Sequence, residues 1–352
     1  MRRVEPALLT AMKTPLPVAI ASSLLMFLPV AGQAQSLDDV HLTPRGPLIG
    51  APTTDGPSQE KGLASASNSL HVNVDVVLVP VTVTDEHNRS VIKLDRSDFA
   101  LFEQNKRQDI RYFSAEDEPL SVAVLFDVSK SMTGKLETER AALVEFFRNA
   151  NPEDEYFAIT FSDRPRIIAD STRSIDVLES KLLGVQPGGP TAMLDAISLA
   201  EAKLRHARYQ RKAIVIFSDG GDNASQYTLR EIKALVEEAD VQVYAVGLFD
   251  TFFVGSLEEK LGKRWLSDIT DRTGGRTLTV DNCAKLPQAA AALSREMRNQ
   301  YILGYRPENI RSSGWRKIRI VATEPLTQKS LHANYKKGYL ASSTSSTHPP
   351  LQ

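Results

Sequence analysis

The hydrophobic rhythm of the chain changes twice after residue 70. From His71 to Thr84 valines alternate with other residues, the period-2 signature of a strand with one buried face. Pro80 lies inside that run and cannot donate to a ladder, which predicts an edge strand or a bulge. Asp85 to Asn88 reads as a turn, and Ser90–Leu94, Asp98–Glu103 and Ile110–Phe113 read as further strands of a helix-free β segment over 71–114. The rhythm then shifts. Leu120 to Phe126 is continuously apolar, as expected of a parallel strand covered on both faces.

A helix over 135–149 follows, with Leu136, Ala141, Leu143, Val144, Phe146 and Phe147 forming its apolar side. Strands at 156–161, 167–168, 212–217, 241–246 and 276–280 alternate with helices at 175–183, 192–206, 229–239, 257–273 and 286–298. Such alternation predicts a doubly wound, Rossmann-like α/β domain over 120–298. Strand character returns at 300–305, 316–321 and 331–335, a C-terminal β segment over 300–340. Each β segment is short for a core of its own, so the two are expected to pair into one sandwich-like module interrupted by the α/β domain. Two separate hairpins packed on that domain are the alternative.

The ends read differently. Arg2, Arg3 and Lys13 precede an apolar run from Leu16 to Val30, closed by Ala31, Gly32 and Ala34. That is the pattern of a signal peptide over 1–34, and it predicts an exported protein, periplasmic or extracellular. Pro17 and Pro29 bracket the run and leave it shorter than the ~20 residues of a spanning helix; a retained anchor is the alternative. Residues 35–69 are rich in Ser, Pro, Gly and Thr and read as a flexible linker, and 341–352 read as a disordered tail.

Composition narrows the function. A net charge of −1 offers no global field for nucleic acid or an anionic membrane. The single cysteine, Cys283, makes no internal disulfide and reads as a buried, inert thiol. The fold must be held by apolar burial, with or without help from a metal.

Three loops carry oxygen donors: Asp127-Val-Ser129-Lys-Ser131, Pro187-Gly-Gly-Pro-Thr191 and Ser218-Asp219-Gly-Gly-Asp222. The first and third directly follow strands and the second opens a helix, so all three can meet outside the carboxyl ends of the sheet, where open α/β sheets bind ligands. Two carboxylates and three hydroxyls, with neither imidazole nor thiolate, suit Mg²⁺, or alternatively Mn²⁺ or Ca²⁺, and disfavour zinc or copper. Thr191 is either a ligand or a plain N-cap. Asp195 and Asp222 read as second-shell supports, against a solvated helix face for Asp195 and a turn for Asp222.

Asp-x-Ser-x-Ser after a strand, Gly-Gly-x-Thr before a helix and Ser-Asp-Gly after a strand together resemble the metal-ion-dependent adhesion site of von Willebrand factor type A domains. The resemblance covers roughly Leu120 to Arg298. It implies direct coordination by Ser129, Ser131 and Thr191, with Asp127 and Asp219 often acting through water. Thr82–Asp85, Asp98–Glu103 and Tyr301–Tyr305 resemble the flanks of a group of secreted bacterial proteins related to that family. Lys130 departs from the pattern, since a small residue is commoner there. Its ammonium either weakens the cation's hold or attracts an acidic partner.

The expected function is therefore protein binding, a partner's Asp or Glu completing the shell of the ion, with no nucleic acid and no nucleotide involved. A structural envelope component whose metal serves folding alone is the first alternative, and a metal-dependent hydrolase the second. Against an enzyme, Gly-x-x-x-x-Gly-Lys-Ser/Thr, Gly-x-Gly-x-x-Gly and Gly-x-Ser-x-Gly are all missing from the sequence.

Overall fold

The computed structural model describes residues 76–248, 257–308 and 313–341. The signal segment 1–34, the linker 35–69, the start of the first strand at 71–75 and the tail beyond 341 lie outside the described residues. All described residues fall in one compact unit, Leu70–Gln352. Among them no helix is long and apolar enough to cross a membrane.

The chain first lays down β1 (Val77–Thr84), β2 (Phe99–Glu103), β3 (Lys106–Gln108) and β4 (Ile110–Ser114). The α/β part then runs β5 (Ser121–Asp127), α1 (Leu136–Arg148), β6 (Glu155–Phe161), β7 (Pro165–Thr172), α2 (Ile175–Leu183), α3 (Met193–Leu204) and β8 (Lys212–Ser218). It continues with α4 (Leu229–Glu238), β9 (Gln242–Leu248), α5 (Leu257–Thr273), β10 (Thr277–Val280) and α6 (Leu286–Arg298). β11 (Tyr301–Tyr305), β12 (Gly314–Thr323), β13 (Ser330–Asn334) and β14 (Gly338–Ala341) complete it.

Two sheets result. One has the order β10-β9-β8-β5-β6-β7, parallel except for the antiparallel edge pair β6–β7. Its central strand β5 explains the unbroken apolar run: Val122, Val124 and Phe126 enter the core beneath α1 and α6, while Ala123 and Leu125 enter the core beneath α3, α4 and α5. From β5 the chain first builds outward through β6 and β7, then returns to place β8 on β5's other side. The strand order therefore reverses between β5 and β8, and the crevice of such a sheet opens at their carboxyl ends.

The second sheet interleaves strands from both ends of the described chain, in the order β3-β2-β12-β13-β1-β11-β4, with β14 added on β12. β1 serves two neighbours. Val77–Val81 pair with β11, and Thr82–Thr84 pair with β13. The strand thus turns one layer into the other, around a core of Val79, Val81, Leu101, Leu303, Ile318 and Ile320. Pro80 lies in the half of β1 whose recorded partner is β11, which leaves the opposite flank for a residue without an N–H.

Several expectations are corrected. Residues 90–94 form no strand but touch the sheet through one bridge, Thr84 to Ser90. β3 and β14 were not expected, and β14 draws Ala341 out of the tail into a strand. On α1 the buried stripe is Leu136, Glu139, Ala142, Leu143, Phe146 and Phe147, whereas Ala141 is exposed. Cys283 is half-buried rather than buried.

The two sheets meet at Gln300, the residue between α6 and β11. Its buried amide lies within hydrogen-bond distance of Thr82 Oγ1, Gln242 Oε1 and Tyr244 Oη, and its carbonyl accepts from Arg211 at 2.8 Å. Gln242 opens β9 and Arg211 immediately precedes β8, so this junction is at the amino ends of the parallel strands. The carboxyl ends, with their three loops, point away from it.

Candidate functional site

The first loop leaves β5 at Asp127, whose side chain is fully buried. Ser129 N donates to its Oδ1 at 2.9 Å and Ser218 Oγ donates to its Oδ2 at 2.6 Å. Ser218 ends β8, so a single hydroxyl joins the two strands that flank the crevice. Ser218 Oγ also accepts from Gly220 N at 2.9 Å, shaping the third loop. Gly220 is required here twice over. Its φ is +81°, and a Cβ would stand 2.7 Å from the carbonyl carbon of Gly262 in α5.

The second loop is bound to the first through its backbone. Gly188 N donates to Val128 O at 2.8 Å, and Lys130 N donates to Gly189 O at 2.9 Å. The expected freedom of Gly188-Gly189-Pro190 is thus restrained by two ladder-like bonds. Thr191 N donates to Asn223 Oδ1 at 2.8 Å, and Thr191 O accepts from Asn223 N and Ala224 N, fastening the second loop to the third. Thr191 is not the N-cap of α3. Ala192 holds that place, and no side chain of its own caps the helix.

Asp222 supplies the missing cap from a distance, its Oδ2 accepting from Leu194 N at 2.8 Å and from Ser225 Oγ at 2.7 Å. Asp195 answers in the other direction, its Oδ1 accepting from Gln226 N and Tyr227 N. Both residues therefore hold the third loop against α3. Sequence reasoning weighed Asp222 as a turn residue or second-shell support; its capping of α3 joins positions 28 residues apart, which no local pattern displays.

The oxygens converge as follows. Ser129 Oγ and Ser131 Oγ are 3.0 Å apart, Ser129 buried and Ser131 exposed at the rim. Thr191 and Asp219 are buried. Asp219 Oδ1 receives a long 3.4 Å bond from Gly221 N, while its Oδ2 is buried without a hydrogen-bond partner. Lys135 Nζ stands 3.8 Å from that oxygen, beyond hydrogen-bond reach. Burial, and then the negative charge of Asp219, push the Asp127 carboxyl up to about 6, against the pull of its Ser129 and Ser218 bonds.

Whether these residues suit a divalent cation is decided by what their oxygens lack. A buried carboxylate oxygen without a donor is costly unless a cation or water answers it, and Asp219 Oδ2 is such an oxygen. The two acids and three hydroxyls of the loops make a hard-oxygen set. Among the described residues no three His, Cys, Asp or Glu side chains stand close enough to hold an ion between them, so hydroxyls must complete any shell. The donor set fits.

Three contributors escaped the sequence reading. Ser218 stands in the sequence as the first residue of the third loop without a role of its own, Lys135 as a helix start, and Glu139 as a polar position on a stripe marked by its apolar residues. The usable signal was Glu139's place three residues after Leu136 and three before Ala142, in the middle of that stripe.

Residues 122–221 match the family model for the von Willebrand factor type A domain, a span that takes in Asp127, Ser129, Ser131, Thr191 and Asp219. The chain carries such a domain over that span. It is similar to an uncharacterized protein of Borreliella burgdorferi, 22% identical over 184 residues, which cover 46% of this chain and 54% of that one. It thus spans about half the length of that curated relative. Among solved structures, a von Willebrand factor type A protein from Catenulispora acidiphila aligns with a TM-score of 0.46 at 10% identity, over 76% of this chain and 73% of that one. Proximal thread matrix protein 1 from the mussel byssus, with a zinc-occupied metal-ion-dependent adhesion site, aligns with a TM-score of 0.44 at 16% identity, over 55% and 49%.

Proposed function

We propose, for a chain that carries a von Willebrand factor type A domain, that it captures a protein partner through a divalent cation held by Asp127, Ser129, Ser131, Thr191 and Asp219. The partner completes the ion's shell with an Asp or Glu carboxylate. The observation that carries this reading is the buried Oδ2 of Asp219, which has no hydrogen-bond donor, together with the paired hydroxyls of Ser129 and Ser131, the latter open to solvent. Ser129, Ser131 and Thr191 bring hydroxyls that add no charge, so the ion keeps a demand for a further anionic ligand.

Mg²⁺ is the cation proposed, with Mn²⁺ or Ca²⁺ as alternatives. The reading is of a binding module and not of an enzyme. The Ser218 hydroxyl is spent on Asp127, and those of Ser129 and Ser131 are set toward each other. A cation serving folding alone is disfavoured, because backbone bonds already tie the first loop to the second and the second to the third. The leader-like pattern over 1–34 supports an exported protein working in the periplasm or outside the cell.

The test couples binding to capture. Calorimetry with Mg²⁺, Mn²⁺, Ca²⁺ and Zn²⁺ should detect one site in the wild type. Asp127→Ala and Asp219→Ala should each lose roughly 100-fold in Mg²⁺ affinity. Immobilised protein should retain an envelope or secreted partner in Mg²⁺, and lose it in EDTA and in Asp219→Ala. Capture that survives both treatments would overturn the reading.

A further inference from the structure

Glu139 occupies a position that helix periodicity reserves for the core. It shares the buried stripe of α1 with Leu136, Ala142, Leu143, Phe146 and Phe147, and its exposure is 0%. Neither Oε1 nor Oε2 meets a hydrogen-bond donor. A leucine would fill the same place without desolvating a carboxyl, so an acid there needs a reason.

The charges facing Glu139 supply one. They are the acids Asp127 and Asp219 and the bases Lys135 and Arg140. Burial drives the Glu139 carboxyl well above the usual range, and Asp127 and then Asp219 push it the same way. Neither base answers it with a hydrogen bond. Arg140 is spent on Glu137 and on the carbonyls of Leu183 and Val185. Lys135, one helical turn before Glu139, has its ammonium 3.8 Å from Asp219. Two carboxyl groups of this region, those of Glu139 and Asp219, therefore hold buried oxygens that no hydrogen-bond donor meets.

We propose that Glu139 is a positioning acid of the cation site, acting on the ion through water of the ion's own shell. The inference rests on the reading of the five loop residues as a cation site. Direct ligation alongside both aspartates is not available, since no three acidic side chains among the described residues come close enough to share an ion. A bridging water spans that gap and satisfies an oxygen of Glu139. Mg²⁺ sheds its waters reluctantly and keeps several when bound, whereas Ca²⁺ takes more direct oxygen ligands. An acid one water away therefore favours Mg²⁺ over Ca²⁺, and Glu139 is a selectivity residue as well as an acceptor for the ion's water.

Glu139→Gln keeps the shape and removes the acid. Calorimetry should find its Mg²⁺ affinity about tenfold to thirtyfold weaker, with Ca²⁺ affinity reduced less. Thermal unfolding without metal should show the variant at least as stable as the wild type. Glu139→Leu, which suits the apolar stripe, should repeat the loss if Glu139→Gln folds poorly, with circular dichroism establishing its fold. Affinities for both ions within twofold of wild type would overturn the proposal and leave Glu139 a buried bystander. Wild type and Asp219→Ala binding Mg²⁺ alike would overturn the site reading itself, a result recognisable apart from any Glu139 variant.

Discussion

At the amino end of the six-stranded sheet, Arg211 donates to the carbonyls of Glu118 and Met297 and to the side chain of Gln300, which in turn meets Thr82, Gln242 and Tyr244. At the carboxyl end, Asp127, Asp219 and Glu139 stand buried with like charge, and three of their oxygens have no donor. Both ends bury polar groups, but to opposite effect. The amino end uses them to join the α/β part to the second sheet, with complementary donors and acceptors. The carboxyl end leaves buried carboxyl oxygens without a hydrogen-bond donor, with the Lys135 ammonium 3.8 Å from one of them. The amino end is the more fully paired of the two, with Arg211 Nε its one orphaned atom among these residues, and a paired network has little left to offer a ligand.

The largest effect should come from breaking the amino end. Arg211→Leu strands two carbonyls and the Gln300 side chain, and should cost about 3 kcal/mol in urea unfolding. Its Mg²⁺ affinity should stay within about twofold of wild type, since distant sites without shared partners act independently. A comparable loss of affinity would show that the two ends are one cooperative unit.

Thr191→Val sharpens the comparison from the other side. The loops are held by the backbone of Thr191, and α3 is capped by Asp222, so removing the hydroxyl should leave the melting temperature unchanged. Mg²⁺ binding and cation-dependent capture should weaken about tenfold, or about 1.4 kcal/mol. Asp222→Ala should do the reverse, costing about 1 kcal/mol of stability through the lost cap. Equal Mg²⁺ binding by Thr191→Val and wild type would remove the threonine from the site.

The smallest effect is a pH slope. Asp127 titrates at about 6 in the folded, metal-free protein, above the 3.8 of an unperturbed aspartate. The folded state then binds more protons than the unfolded one between those values, so this residue's contribution to stability falls as pH rises from about 4 to about 6. Asp127→Asn should lose that part of the slope, and saturating Mg²⁺ should flatten it in the wild type by favouring the charged carboxylate. A wild-type slope unaltered by either change would mean that Asp127 is not the group responsible.

Much of this was legible in the residues. Leu120–Phe126 announced a central parallel strand because five apolar positions in succession, Val122 to Phe126, need cover on both faces. The three oxygen-bearing loops were legible because each stands at the end of a strand or the start of a helix, where an open sheet places ligands. The weaker expectations were those that depended on partners distant in the chain. A plain cap was the alternative to a ligand for Thr191 because capping is usually local, yet Asp222 reaches across from another loop to take Leu194 N. Ser90–Leu94 carries the β-branched residues of a strand, but its neighbours leave it a single bridge.

By itself, then, the sequence determined the α/β alternation, the strand-rich character of both flanks and the oxygen chemistry of the three loops. Those properties follow from local periodicity and from which atoms a side chain carries. Only the tertiary structure decided that β1 joins two layers, that Gln300 locks one sheet to the other and that Glu139 is buried in sight of Asp127 and Asp219. Each depends on which distant residues share a dehydrated space, where an unpaired oxygen is costly and a single donor changes its worth; no pattern of neighbours along the chain carries that information.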